Sequence, residues 1–183
     1  MREYLGYMHD ARPAIVHWAQ WMVTQRARCT YSEGSQRMSS VHRRGVLPFV
    51  SDCSGFVTAM YAWANAPDPN GLNFDGEGYT GTELNHGQHL ALWTRNGQNT
   101  DLKDILPGDV VVYGPGTGWH TALIIEGGPN PLTVSMGQNG DPSYVRVAQD
   151  GRLPQTYLRF NTKTRKVISP QSFLHLPPHY QRP

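Results

Sequence analysis

Two side chains of this sequence have the type and setting for nucleophilic chemistry. Cys53 stands in Ser51-Asp52-Cys53-Ser54-Gly55-Phe56-Val57, and His120 opens the apolar run Trp119-His120-Thr121-Ala122-Leu123-Ile124-Ile125. Covalent thiol catalysis needs this pair, a sulfur that attacks a carbonyl and an imidazole that carries the proton. Each alone has an ordinary reading, the cysteine as a small buried hydrophobe and the histidine as a hydrogen-bonded core residue. The weight falls on their combination.

The elements that must position them are legible nearby. Ser51 or Asp52 is suited to cap a helix, and Phe56, Val57, Met60 and Ala64 recur at helical spacing behind it. That predicts a helix whose first turn holds Cys53. Unpaired N–H groups and the helix dipole stabilise a thiolate there, and with a cation near they lower a cysteine from about 8.5 toward ~3.5–7.5. His120 is predicted on a strand that follows the turn Leu106-Pro107-Gly108-Asp109, the strand Val110-Val111-Val112-Tyr113 and a Gly/Pro loop. In strand alternation His120, Ala122 and Ile124 share a face, and the small Ala122 leaves room beside the imidazole for the sulfur of Cys53.

Elsewhere, Ile15, Trp18, Ala19, Met22 and Arg26 follow Pro13 at helical spacing and predict a first helix, with Cys29 packed at its end. A short helix is predicted over Thr82 to Trp93, and strands at 110–113, 120–126, 132–136, 143–148 and 156–161. Residues 66–81 are rich in Pro, Asn, Asp and Gly and read as a long ordered loop able to wall a groove. After residue 162 the pattern fades, and Pro170, Pro177, Pro178 and Pro183 mark residues 163–183 as an extended tail to a domain spanning 1–162. His86 and His89 share a helical face by spacing, but without two further ligands they do not define a metal site.

The 183 residues suffice for one domain with a sizeable core, and 19 glycines with 14 prolines favour a loop-rich α+β fold. A net charge of +2 is compatible with an anionic cell wall and too small to argue for nucleic acid. Arg37, His42, Arg43 and Arg44 cluster, and read as a solvated loop. No charged segment followed by an apolar core marks a signal peptide at the N-terminus, and no apolar run approaches the ~18 residues of a membrane span. The two cysteines, Cys29 and Cys53, fit a reducing compartment better than a disulfide framework.

Asp52-Cys53-Ser54-Gly55-Phe56-Val57, Leu106-Pro107-Gly108-Asp109-Val110-Val111, and His120 ahead of a hydrophobic strand together resemble the NlpC-type cell-wall peptidases and their CHAP amidase relatives. The resemblance spans roughly residues 14–160. The stretches Ala66-Pro67-Asp68-Pro69-Asn70-Gly71-Leu72 and Gly76-Glu77-Gly78-Tyr79-Thr80-Gly81-Thr82 resemble peptidase domains of endolysins from phages of actinobacteria. The resemblance implies a papain-like α+β fold, N-terminal helices packed on a central antiparallel sheet of about five strands. It implies hydrolysis of peptidoglycan stem peptides through a thioester on Cys53, with His120 as base, the Cys53 N–H in the oxyanion hole, and neither metal nor cofactor.

In such families a polar residue on the following strand orients the imidazole. Here that strand is Leu132-Thr133-Val134-Ser135-Met136, leading into Gly137-Gln138-Asn139. Met136 cannot take the role, so the expectation falls on Asn139, with Gln138 and Ser135 as alternatives. Asp52, Ser54 and Trp119 flank the pair as substrate contacts, although helix capping explains the first two equally well. The expected partner is bacterial peptidoglycan, with a separate wall-binding domain or second lysin as a possible companion and no membrane insertion. The expected place is the host bacterial cytoplasm until holin-type release. An amidase acting between muramic acid and L-alanine, and a wall-binding domain without activity, stand as alternatives.

Overall fold

The computed structural model describes residues 8–94, 97–98, 102–114, 119–137 and 142–165. In chain order these give β1 (Met8–Asp10), α1 (Arg12–Thr24), β2 (Cys29–Tyr31), β3 (Phe49–Ser51), α2 (Cys53–Trp63) and α3 (Thr80–His86). There follow β4 (Gln88–Thr94), β5 (Gly97–Gln98), β6 (Val110–Tyr113), β7 (His120–Glu126), β8 (Leu132–Ser135), β9 (Ser143–Arg146), α4 (Val147–Asp150), β10 (Gln155–Arg159) and β11 (Lys163–Arg165). The fold is mixed α+β. Its centre is an antiparallel sheet in the order β5-β4-β10-β6-β7-β8-β9. β2 and β3 form a separate parallel pair, and β1 pairs with β11. None of the described helices is long and apolar enough to cross a membrane.

The apolar character of β6 and β7 follows from burial on both faces of the sheet. Val110, Val112, Leu123 and Ile125 face α1 and α2, where Ile15, Trp18 and Met22 meet Phe56, Val57 and Met60. Trp63 sits among Trp18 and Phe49 with ring centroids 5.2 and 5.6 Å away, both edge to face. Val111, Tyr113, Ala122 and Ile124 face the other way, into a second cluster with Leu102, Ile105, Val147 and Tyr157.

Two expectations change. The helix predicted over Thr82 to Trp93 is a short α3 followed by strand β4, because Gly87 ends the helix in extended conformation and β10 pairs with the chain from Gln88 to Trp93. Tertiary pairing overrides a sequence pattern that suits either element. Lys163–Arg165, expected to begin an extended tail, forms β11 and pairs Met8 with Arg165 and Asp10 with Lys163. Residues 166–183 of that tail lie outside the described residues. Cys29 opens β2 and packs at the end of the first helix as expected, its thiol donating to the carbonyl of Gln25, the C-cap of α1, at 3.4 Å.

One buried carboxylate ties these layers together. Asp109 closes the Leu-Pro-Gly-Asp turn by accepting from Leu106 N at 2.9 Å, and its side chain is fully buried. Arg12 from α1 reaches it at 2.9 Å and Arg159 from β10 at 2.7 and 3.0 Å. The turn can form because Gly108 takes φ +88°, a conformation that favours glycine. Removing the carboxylate leaves two guanidinium groups beside an unfilled buried site. Asp109→Ala is therefore expected to lower the unfolding free energy by about 3–5 kcal/mol, read from urea denaturation.

Candidate active site

The helix that carries Cys53 starts where it does because Asp52 caps it. Asp52 is extended (φ −94°, ψ −169°), and its Oδ1 accepts from Gly55 N at 2.6 Å and from Ser54 Oγ at 3.0 Å. Of the two candidate caps, Ser51 is otherwise engaged, its hydroxyl donating to Arg37 O at 2.8 Å. Gly55 is required by close approach: a Cβ there would lie 2.4 Å from both Arg37 O and Ser51 Oγ. Arg37, read from sequence as part of a solvated run, instead locks this corner. Its Nη1 lies 3.5 Å from Asp52 Oδ2 and donates to Gly78 O at 2.6 Å. Only its tertiary partners distinguish it from the neighbouring basic residues.

Cys53 opens into a cleft of about 410 Å³ whose wall includes Asp52, Arg37, Tyr31, Tyr79 and Trp119, with Glu33 and Glu77 adding negative charge. Glu77 and Tyr79 come from the loop after α2, and Thr80 begins α3. That loop is shaped by Asp68, whose carboxylate accepts from Asn70 N, Leu72 N and Phe74 N, while Asn70 Nδ2 donates to Thr58 on α2. Trp119 is 44% exposed, and its ring lies over Gly114, where a Cβ would sit 1.5 Å from the indole. Trp93 lies on β4 against the second core cluster.

The thiol of Cys53 is buried and lies 3.8 Å from Trp119 O. Burial pushes its pKa up to about 12, with the negative charges of Asp52 and Glu83 adding to the effect and the Thr121 and Ser54 N–H groups opposing it. The expected helix-terminal lowering is thus outweighed by desolvation and acidic neighbours, and the resting form is the thiol. Any reaction at this sulfur would need a thiolate formed by local proton transfer. The N–H of Cys53, in the first turn, has no intrahelical acceptor and can serve a developing oxyanion.

His120 begins β7 opposite Tyr113, is 7% exposed, and stacks on the Tyr113 ring at 5.6 Å and 28°. Ala122 beside it is packed into the second core cluster with Val111 and Ile124. The structure therefore gathers Cys53, Asp52, Ser54 and Trp119 around one cleft, and the sulfur meets β7 through the backbone of Trp119 and Thr121, the residues on either side of His120. His120 is not among the residues lining the cleft. Ser135 ends β8 and is buried, and Met136 packs in the core cluster below α1 and α2. Asn139 and Gln138 lie outside the described residues. His86 stacks on Phe160 and His89 contacts Leu84 O from β4, so they do not share a helix. Among the described residues, no group of three or more His, Cys, Asp or Glu is assembled to hold a metal.

Nothing in the local pattern of residues marks Glu83. It is fully buried on α3, with neither carboxylate oxygen hydrogen-bonded in good geometry. The neighbouring Thr121 hydroxyl, which gives it some electrostatic relief, is directed to Val111 O. Desolvation, with Asp52 and Asp68 nearby, pushes its pKa up to about 8. Neither protein-family models nor curated protein sequences yield a match to this chain.

Two outcomes follow from this geometry. Asp52→Ala is expected to cost about 0.5–2 kcal/mol of stability, measured by denaturant unfolding, through loss of the cap. Glu83 favours the folded state when protonated, so its contribution is complete below its unfolded value near 4.5 and declines as pH rises through about 8. The wild-type melting temperature is expected to fall across that window by more than that of Glu83→Gln, in melts recorded from pH 4 to 9.

Proposed function

We propose that this chain is a cysteine hydrolase of bacterial peptidoglycan, of the phage endolysin type and papain-like NlpC architecture, cleaving amide bonds of the stem peptides. The observation that supports this most is Cys53 itself, fixed in the capped first turn of α2 at a cleft walled by Trp119, Tyr79 and Arg37. A cleft that offers a cation, several acids and aromatic faces suits a short peptide carrying both amine and carboxylate groups. In this reading a stem peptide binds across the cleft, the proton of Cys53 passes to His120, and the sulfur attacks the scissile carbonyl. The oxyanion is met by the Cys53 N–H. The imidazolium protonates the departing amine, and water then releases the acyl group from sulfur. Asn139 is the proposed partner of the imidazole, and Asp52 and Ser54 act at the cleft through their shared cap.

The test uses wild type, Cys53→Ala and His120→Gln incubated under reducing conditions with actinobacterial peptidoglycan, with released fragments read by mass spectrometry. Wild type is expected to release fragments, and both variants to lose at least about 10³-fold in rate, with their folds intact by circular dichroism. A new amine within the stem marks an endopeptidase; a freed lactyl-ether sugar marks the amidase. Release of fragments by Cys53→Ala at the wild-type rate would end the thiol-hydrolase reading.

A further inference from the structure

At the histidine end of the sheet, the chain between α4 and β10 brings two opposite charges to the ring on which His120 rests. α4 ends at Asp150, Gly151 turns the chain in the left-handed conformation, and Arg152 returns beside it. Its Nε lies 2.6 Å from Asp150 Oδ1 and its Nη2 2.6 Å from Oδ2, a two-pronged pair. The Asp150 side chain is 10% exposed and that of Arg152 49%. The guanidinium lies 5.0 Å over the centroid of Tyr113, the ring stacked by His120. Two backbone acceptors hold this connection at the end of β6: Gln155 donates to Arg152 O at 3.1 Å and Gly114 N to Pro154 O at 2.7 Å.

We propose that the Asp150–Arg152 pair positions and polarises His120 across Tyr113, the carboxylate favouring the imidazolium and the guanidinium opposing it. The imidazolium of His120 helps hold the Asp150 carboxyl below its usual range, against the opposing effect of burial and behind the larger contribution of Arg152, while the Arg152 guanidinium lies over the Tyr113 ring that His120 stacks on. Among the described residues, Tyr113 from β6 stacks on His120, Asp150 from the α4–β10 connection acts on it electrostatically, Arg152 lies over the same Tyr113 ring, and the Cys53 thiol meets the backbone of the neighbouring Trp119. Asp150 and Arg152 are thus positioning residues, and their meaning for catalysis rests on the reading of His120 as the base for Cys53.

Imidazole NMR titration of the full chain tests this, with His120→Gln used to assign the resonance. Asp150→Asn is expected to lower the His120 midpoint by roughly one pH unit. Arg152→Gln is expected to raise it, because the carboxylate is then unopposed. Shifts of opposite sign support the coupling; shifts of the same sign, or none, overturn it. Should Asp150→Asn fail to fold, Arg152→Gln, altered at a half-exposed side chain, decides alone by an upward shift or its absence. The acidic limb of kcat/KM on peptidoglycan is expected to move with the NMR midpoint. If the midpoints move as expected while wild type releases no wall fragments, the hydrolase reading falls and the Asp150–Arg152 coupling stands.

Discussion

The position of Cys53 depends on one carboxylate, Asp52, at the start of α2. By accepting from Gly55 N and Ser54 Oγ it fixes where the helix begins, and through Arg37 it binds that corner to the loop at Gly78. The same charge has a cost for chemistry, since it sits next to the sulfur and opposes its ionisation. Burial does most to keep the thiol neutral at rest, and the cap that builds the site adds to it. In the proposed hydrolase this places the making of the thiolate within the reaction, where imidazole and substrate are both in place, and shields the sulfur from unproductive reaction in between.

The second constraint is the sheet, which has no solvated face at its centre. β6 and β7 divide their side chains between the cluster under α1 and α2 and the cluster under α4, so the first residues of β7 stand between two cores. Cys53 approaches that strand end from the helix side through the backbone of Trp119, while His120 stacks on Tyr113. Asp109 holds the arrangement from the opposite end of β6, joining α1 and β10 to the turn that starts the strand. Any shift of β6 against α1 would have to break this buried pair.

Much of this was legible in local sequence. The cap, the helix behind Cys53, the Leu-Pro-Gly-Asp turn and the strands from Val110, His120 and Leu132 each carry a local signal, a polar cap, a period or a turn glycine. What was not legible depends on distant partners. β4 is a strand because β10 lies beside it, and β11 because β1 does. Arg37 looked like any surface arginine until Asp52 and Gly78 came within reach. Glu83 and the Asp150–Arg152 pair were hidden for the same reason, since a burial or an ion pair set by packing leaves no mark on spacing. The thiol's acidity was misjudged because the helix terminus is visible in sequence and the desolvation around it is not.

The most direct measurement is to quench wall digestion with acid and search the protein for a covalent acyl group by peptide mass mapping. The expected result is a stem-peptide adduct in thioester linkage to Cys53, removed by hydroxylamine. Undiminished wall turnover after Cys53 has been blocked by alkylation, with no adduct on its sulfur beforehand, would contradict it.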